Sequence, residues 1–273
     1  MHMIVDIKNA LYRSIYAYRM QNGKNSPIKI LLGQLKEWTE IISPTSVHIA
    51  WDATRKKVWR RNILETYKDR DSNTYIVDLK ETMNEVTAVC RDFFACMGYR
   101  QYFRPTMEAD DLIYALSYTL HPQQVTIISN DSDLTQIPYR MNNVNIYDPA
   151  NRKYAEIPKS DPVMMKSLSG DKSDNIDGYW KIGPVNAEKL SSDSRKLHEF
   201  FESRGIETYK KNLILVDLSL NPELLENRIY VSKILAKPVV FNEESIKETM
   251  KKHNVPNLIT EYHSLIDIYS KLV

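Results

Sequence analysis

The sequence predicts an α/β fold, with a mostly parallel central sheet flanked by helices and a helical region after it. Short apolar runs alternate with helix-like segments up to about residue 150, which is typical of a parallel sheet. The strand pattern fades after about residue 160, and several short helical patterns follow. We therefore expect a core at residues 1–160 and a helical region at residues 161–273.

Each expected element of the core has its own signal. The longest helix is expected at residues 78–97, where apolar residues recur at steps of three and four, Asp78 and Glu81 form a capping-box pattern, and Gly98 follows the end. Two more helical patterns cover residues 27–42 and 106–120. Strands are expected from apolar runs at residues 1–6, 47–52, 99–103, 125–129 and 144–147.

Composition excludes several classes of protein. The 273 residues are 42% hydrophobic, enough for a sizeable core, and the formal net charge of +2 excludes both a simple polybasic nucleic-acid binder and an acidic disordered tail protein. Two cysteines, Cys90 and Cys96, cannot form a disulfide scaffold or a zinc site. No apolar run is long enough for a membrane span and the N-terminus is unlike a signal peptide, so we expect a cytoplasmic protein.

Acidic residues follow three of the expected strands. Asp6 and Asp52 each close a strand, and Asp131 and Asp133 follow a third. Because ligands of open α/β sheets bind outside the carboxyl ends of the strands, these acids are expected to converge on one rim. Taken singly, an aspartate after a strand is more often a turn residue.

Two further acidic groups strengthen this interpretation. Glu108, Asp110 and Asp111 lie in the first turn of an expected helix, where acids commonly complement the helix dipole, and Asp171 and Asp174 follow Gly170, where a loop or N-cap role is common. Between residues 105 and 139, however, there are five acids and neither lysine nor arginine. A hard divalent cation, Mg²⁺ or Mn²⁺, is the natural counter-charge, and two such ions about 4 Å apart can activate a water and stabilise the leaving oxygen of a phosphodiester.

A basic segment covers residues 52–70. It carries seven Lys or Arg and three acids, with Trp59 and Tyr67 interleaved. A solvated charged face is the ordinary interpretation of such a run, whereas aromatic residues beside cations suit a nucleic-acid strand, because rings stack on bases and cations hold phosphates.

Glycine is concentrated in one window. Three of the seven glycines, Gly170, Gly178 and Gly183, lie there, and Pro184 then begins an expected helix. A glycine hairpin between two helices exposes backbone N–H groups that can bind phosphate, although an ordinary helix–turn–helix connection has the same appearance.

These motifs, in this order, resemble the flap endonuclease or 5′-nuclease family, as found in polymerase I 5′-nuclease domains and phage 5′-exonucleases. The resemblance covers residues 3 to about 190 and rests on IVDIKNALYR, WDATRKKVWRR with YKDR, EADD, NDSDL and GDKSDNIDG. It implies a PIN-like nuclease core with a helical arch around residues 66–98. It also implies a helix–hairpin–helix-type DNA-binding element around residues 170–190.

The resemblance also implies roles for individual residues. Lys68, Asp110 and Asp131 would be catalytic, with Lys68 positioning the scissile phosphate. The metal ligands would be Asp6, Asp52, Glu108, Asp110 and Asp111 for one ion, and Asp131, Asp133, Asp171 and Asp174 for the other. The DNA-binding residues would be Arg55, Lys56, Lys57, Arg60, Tyr67, Lys68, Arg70, Gly178, Lys181 and Gly183.

The implied activity is that of a structure-specific 5′ nuclease, a 5′-3′ exonuclease or flap endonuclease. Its cofactors would be two Mg²⁺ ions, replaceable by Mn²⁺, with a monovalent cation at the hairpin. Its partners would be DNA with a 5′ flap or 5′ end, RNA–DNA hybrids and replication proteins. We expect a free-standing monomer from a bacterial cell or a phage-infected host, with phage favoured.

Three positions depart from the family pattern, and two other functions stay open. Ile7 stands where the family has glycine, Lys181 stands where glycine is common, and Asn186 where lysine is common; these changes bear on duplex binding more than on chemistry. One alternative is a catalytically weak DNA-structure-binding protein, although all nine expected acids are present. The other is a metal-dependent single-strand nuclease, which the hairpin at residues 170–187 argues against.

Overall fold

The computed structural model describes residues 1–21, 26–69 and 74–253, and of residues 74–80 it describes only the backbone. A six-stranded sheet forms the centre, with strand order β3-β2-β1-β4-β5-β6. The first five strands pair in parallel, and only β6 is antiparallel to its neighbour. The strands are β1 (His2–Asp6), β2 (Ser46–Ala50), β3 (Arg100–Tyr102), β4 (Val125–Ile128), β5 (Val144–Asp148) and β6 (Lys153–Tyr154).

The predicted fold class is therefore confirmed, and all five expected strands are present. The short edge strand β6 was not expected, because two exposed residues carry no apolar pattern. Strand β1 is central and buried through Met3, Ile4 and Val5. The chain leaves β1 towards β2 and β3 and then returns to β4 on the opposite side. The strand order thus reverses beside β1, and a ligand crevice is expected there at the carboxyl ends.

Eleven helices surround this sheet in the described part of the chain. They are α1 (Ile7–Met20), α2 (Pro27–Ile42), α3 (Thr74–Cys96), α4 (Ala109–Leu120), α5 (Gln136–Arg140), α6 (Pro162–Ser169), α7 (Pro184–Ser191), α8 (Ser194–Arg204), α9 (Glu207–Val216), α10 (Leu224–Leu235) and α11 (Glu243–Lys252). Between α6 and α7, β7 (Gly170–Asp171) and β8 (Ile176–Asp177) form a small antiparallel pair.

Helix α2 has the bounds that the sequence predicts, because Ser26 caps it through the N–H of Lys29 and Pro27 begins it. Helix α3 begins at Thr74, so Asp78 lies inside the helix and the expected capping box is wrong. No helix of the described residues is long and apolar enough to span a membrane.

Two apolar clusters cover the two faces of the sheet. One joins α1, α2 and α3 to the sheet through residues such as Leu11, Leu35 and Phe94. The other joins α4 to the opposite face through residues such as Leu112. The C-terminal helices complete both clusters, since Val231 of α10 is buried in the second and Ile246 of α11 in the first. Residues after 160 thus share the core of the residues before them.

The second half of α3 belongs to this core. Val86, Cys90 and Phe93 are all buried in the first cluster. A side chain packed between the sheet and the other helices cannot stand over an open cleft. Any arch formed by residues 66–98 would therefore have to come from the part before Val86.

Candidate functional site

A cleft of about 790 Å³ opens at the carboxyl ends of the strands. Five cations line it, Lys8, Arg55, Lys68, Lys166 and Lys172. Seven of the nine acids predicted to bind metal also line it, namely Asp6, Asp52, Asp110, Asp131, Asp133, Asp171 and Asp174. The topology explains this convergence, because the acids follow β1, β2 and β4, begin α4, or lie in the connection after α6.

Asp6 is held at the junction of β1 and α1. Its carboxylate caps α1 by accepting the N–H of Asn9 at 3.3 Å and accepts the hydroxyl of Ser129 at 3.0 Å. Burial, and then the charges of Asp52 and Asp131, raise the pKa of Asp6 to about 7. The carboxylate of Asp6 is therefore buried beside other acids, and the nearby protein groups do not supply enough positive charge to stabilise its ionised form.

Asp110 lies in the same situation at the start of α4. Burial, followed by the charge of Asp131, raises its pKa well above the usual value for aspartate. No Lys or Arg of the described residues forms an ion pair with Asp110. Asp52 is better compensated, because it accepts the N–H of Ala109 at 3.2 Å and pairs with Lys8 at 3.3 Å. Carboxylate oxygens that lie close together, with too few cations to balance their charge, are suited to binding a hard divalent cation.

A second acidic group faces the first across the cleft. Oxygen atoms of Asp133, Asp171 and Asp174 lie within 4.8 Å of one another, a spacing that could hold a metal ion. The Nζ of Lys166 lies between two of them, in an ion pair with Asp133 and 2.6 Å from Asp171. Although burial opposes it, hydrogen bonds from Lys166 and Ser173 hold the pKa of Asp171 below its usual value.

The other two acids of this group, Asp133 and Asp174, have raised pKa values. Burial raises the pKa of Asp133 even though Lys166 is in contact. It also raises the pKa of Asp174, which receives the hydroxyl of Tyr67 at 3.1 Å. The pKa values of Asp133 and Asp174 stay raised although Lys166 and Lys68 are in contact with the group, and the three carboxylates fit a divalent cation.

Lys68 lies between Glu108 and the second acidic group. Its Nζ lies 2.7 Å from Glu108 and 3.5 Å from Asp174, and these acids, opposed by burial, raise its pKa. The residue is held by its own N–H, which donates to the carbonyl of Asp174 at 3.0 Å, in a left-handed conformation with φ of 51°. The ammonium group is therefore charged and fixed at the cleft wall.

Glu108 and Asp111 do not line the cleft, contrary to the prediction that they bind metal. Both oxygens of Asp111 accept hydrogen bonds from Arg60, and one also accepts from the indole N–H of Trp59 and the N–H of Glu108. Glu108 accepts from Arg60 at 2.8 Å and from Tyr67 at 3.0 Å. Burial opposes ionisation, but Arg60 and Lys68 hold the pKa of Glu108 at about 2. These two carboxylates already have their counter-charges.

Arg60 and Tyr67 are also placed differently from the prediction that they face DNA. Arg60 is only 3% exposed, and its Nε donates to the carbonyl of Leu215 at 2.8 Å. Tyr67 is equally buried, with its hydroxyl between Glu108 and Asp174. The polar atoms of both residues make hydrogen bonds inside the protein, beneath the cleft.

The remaining predicted DNA-binding cations are accessible. Arg55 lines the cleft, and Lys56 and Lys57 are exposed on the same turn of 3₁₀ helix. Lys181 is exposed in the connection between β8 and α7. Arg70 lies outside the described residues.

The glycine window has the unusual backbone that its composition indicates. Gly170 has a φ of 73°, and a Cβ there would overlap the backbone of Gly178. A Cβ on Gly178 would in turn overlap the backbone of Ser169. Gly183 differs, because a Cβ there would meet nothing within 4 Å. The close crossing of residues 170 and 178 is what requires glycine.

Sequence reasoning missed Lys166 and Lys8. Lys166 lies on α6 and reaches Asp133, which is 33 residues earlier in the chain. Lys8 lies in the first turn of α1, whose helical pattern was not recognised. Nothing near either lysine in the sequence marks it, because both contacts depend on how the helices lie on the sheet.

Comparison with known proteins agrees with this architecture. The profile of the family described as "5′-3′ exonuclease, N-terminal resolvase-like domain" matches residues 1–167. DNA polymerase I of Lactococcus lactis is 26% identical over 79% of this chain and 25% of its own length. A 5′-3′ exonuclease of Buchnera aphidicola is 28% identical over 66% of each chain.

The fold is also that of a solved nuclease. The structure of the bacteriophage T5 flap endonuclease, in a pseudo-enzyme–product complex with DNA and metal ions, matches with a TM-score of 0.66 and 17% identity, over 93% of this chain and 99% of that one. The chain spans a quarter of the length of the polymerase that it matches. With its profile match over more than half of the sequence, this chain belongs to the 5′-3′ exonuclease family.

Proposed function

We propose that the protein is a structure-specific 5′ nuclease that hydrolyses phosphodiester bonds of DNA carrying a 5′ flap or 5′ end. RNA primers paired with DNA are included as substrates. One observation carries the proposal, the cleft in which seven carboxylates converge at the carboxyl ends of β1, β2 and β4. Family membership and the DNA-bound relative support it.

The cleft acids divide into two sets that would hold two divalent cations, Mg²⁺ or Mn²⁺. Asp6, Asp52 and Asp110 would hold one ion, and Asp133, Asp171 and Asp174 the other. Asp131 would belong with the first set, because its charge raises the pKa values of Asp6 and Asp110. When bound, such a pair supplies an activated water and stabilises the leaving oxygen of a phosphodiester. Glu108 and Asp111 are left out, because arginine and lysine already neutralise them.

Lys68 would position the scissile phosphate. Its ammonium group is charged and lies at the cleft wall between Glu108 and Asp174. A cation held there offsets the repulsion that the acids exert on a polyanionic strand. Arg55, also at the cleft, and the exposed Lys56 and Lys57 would hold neighbouring phosphates without reading sequence.

The duplex would lie on the hairpin between α6 and α7, with the proposed monovalent cation there. The free 5′ strand would pass beneath the helical arch that the family resemblance implies around residues 66–98. A 5′-biotin flap tests the arch: adding streptavidin before the enzyme should block cleavage if the 5′ end must thread. Unchanged cleavage of the blocked flap would rule out an arch that encloses the strand.

The first experiment is cleavage of a 5′-labelled flap duplex, beside blunt duplex and single strand, in Mg²⁺, in Mn²⁺ and in EDTA. We expect release of the flap near the junction in either metal, none in EDTA, and products with a 5′-phosphate and a 3′-hydroxyl. An Asp110→Asn preparation purified in the same way shows whether a contaminating nuclease is responsible.

Two other outcomes would replace the proposal. Tight flap binding without cleavage in both metals would favour a DNA-structure-binding protein with weak catalysis. Cleavage of single strands without preference for the flap would favour a metal-dependent single-strand nuclease. Bacterial and phage proteins are among its relatives, so the proposed setting is the cytoplasm of a bacterium or an infected host.

A further inference from the structure

The hairpin tip between β8 and α7 displays a tryptophan that the proposed mechanism does not use. Trp180 is 68% exposed, whereas the other three tryptophans of the sequence, at positions 38, 51 and 59, are at most 4% exposed. Because the Trp180 ring is exposed to solvent, it contributes little to the packing of the hydrophobic core. The ring is therefore available for a contact outside the chain.

A cation lies on the ring of Trp180. The Nζ of Lys181 is 4.0 Å from the centre of the ring, which is close enough for a cation–π contact. Lys181 pairs with no carboxylate among the described residues, so its charge stays available. The ring and the ammonium group form one exposed unit, with the second face of the ring open.

The backbone holds this unit in place. Lys181 has a φ of 63°, a left-handed conformation that residues with a Cβ rarely adopt, and Asn186 fixes it by donating from Nδ2 to its carbonyl at 3.1 Å. On the other side, Tyr179 is anchored by its hydroxyl, which donates to the carbonyl of Gly205 at 2.7 Å, and by an edge contact with Phe200. Trp180 is therefore presented by neighbours that are each tied down.

The position favours a nucleic acid as the partner. The connection between α6 and α7 carries Trp180 together with Asp171 and Asp174 of the cleft, and Pro184, which follows it, also lines the cleft. An open ring face suits the planar base or the sugar of a nucleotide, and a cation beside it suits the phosphate.

We propose that Trp180 and Lys181 form a nucleotide clamp, in which the open face of the Trp180 ring stacks on a base or sugar of the bound DNA and Lys181 pairs with the adjacent phosphate. This inference rests on the proposed function, since it names a further contact of the same substrate. It assigns a binding role to Trp180, which the sequence analysis does not single out.

Tryptophan fluorescence tests the clamp directly, because Trp180 is the tryptophan that iodide can reach. Flap duplex titrated into the protein in EDTA should change the emission saturably and protect it from iodide. The anisotropy of labelled flap DNA measures affinity independently. Trp180→Leu should weaken binding by roughly tenfold, within the range for base–aromatic stacking. Trp180→Phe should keep the affinity within about twofold and lose the emission change.

Lys181→Gln should lower the slope of log affinity against log salt by about one, as expected for one lost phosphate contact. The control is Tyr154→Leu, which removes a 47%-exposed aromatic ring from the sheet edge and should leave affinity unchanged. Thermal unfolding of each variant checks that it is folded.

Wild-type affinity in Trp180→Leu, or equal losses in the Leu and Phe variants, would overturn the clamp. So would protection of Trp180 from iodide by raising the protein concentration without DNA, which would point to a second copy of the chain. The cleavage assay separates the two proposals. Metal-dependent flap cleavage with no effect of Trp180→Leu would reject the clamp alone, whereas absence of both cleavage and DNA binding would reject the proposed function.

Discussion

Arg60 and Asp111 form a two-point ion pair inside the protein, with Nη1 3.0 Å from Oδ2 and Nη2 2.9 Å from Oδ1. Their side chains are 3% and 0% exposed. Arg60 also binds Glu108, so one guanidinium neutralises two acids of the EADD motif. The cleft thus rests on a buried charge network whose members face away from the substrate.

Removing Arg60 should destabilise the fold. Arg60→Ala leaves Asp111 buried without its counter-charge and Glu108 with Lys68 alone, and an unpaired buried charge typically costs about 3–5 kcal/mol. Urea unfolding measures the loss. The matched control is Arg61→Ala, because Arg61 pairs with the exposed Asp69 and such pairs contribute about 1 kcal/mol or less. Similar small losses in the two variants would show that the network does not stabilise the protein.

The same network shows what sequence reasoning could and could not reach. The expected strands and the acids near them predicted the sheet, its rim and the seven acids that line the cleft, because topology alone brings the carboxyl ends of parallel strands together. Arg60 and Tyr67 were assigned to the surface because cations and aromatics in one run suit DNA. Which of them turn inward depends on α4 and α9, which are distant in sequence.

Asp110 and Asp131 should be needed for cleavage and dispensable for DNA binding. Asp110→Asn or Asp131→Asn removes a negative charge from the cleft but keeps its shape, so turnover should fall by at least a hundredfold while affinity for flap DNA stays the same or rises. Single-turnover cleavage and anisotropy measure the two quantities. Glu248→Gln, an exposed change on α11, is the control. Full activity in both aspartate variants would refute the assignment of the metal ligands.

Lys68→Ala should lower turnover more than affinity. The Lys68 ammonium group is one of several cations at the cleft, so the loss of one contact weakens binding only modestly. Its fixed position between Glu108 and Asp174 suits a role in aligning the phosphate, which single-turnover rates would report. Arg55→Ala is the comparison, because Arg55 also lines the cleft and should affect mainly affinity. A pure loss of affinity in Lys68→Ala would reduce this lysine to a simple phosphate contact.

Gly178→Ala and Gly183→Ala should behave differently although both glycines lie in the hairpin. A methyl group on Gly178 overlaps the backbone of Ser169, so the crossing of β7 and β8 must shift and stability should fall by more than 1 kcal/mol. Gly183 has open space and an extended φ of −92°, so alanine there should change stability by less than about 0.5 kcal/mol. Thermal unfolding of the two variants decides the matter. Equal stability would show that the close backbone crossing does not exist in solution.

His48 should make the fold sensitive to acid. It is fully buried in β2 between Ser46 at 2.7 Å and the hydroxyl of Tyr102 at 2.9 Å, and burial lowers its pKa to about 3. The unfolded chain binds a proton at His48 below about pH 6.5, whereas the folded chain does not until about pH 3. Its contribution to stability is therefore complete above pH 6.5 and is lost as the pH falls from there towards 3.

From about pH 7.5 to about pH 5, this one histidine should account for a loss of about 2 kcal/mol in the free energy of unfolding. Urea unfolding at several pH values measures the slope, which should decrease by nearly one proton in His48→Gln, whatever the change in absolute stability. His198→Gln is the control, since His198 is exposed on α8. If the slope were the same in wild type and in His48→Gln, the buried histidine would have to be protonated in the folded protein, with Ser46 and Tyr102 both accepting its protons.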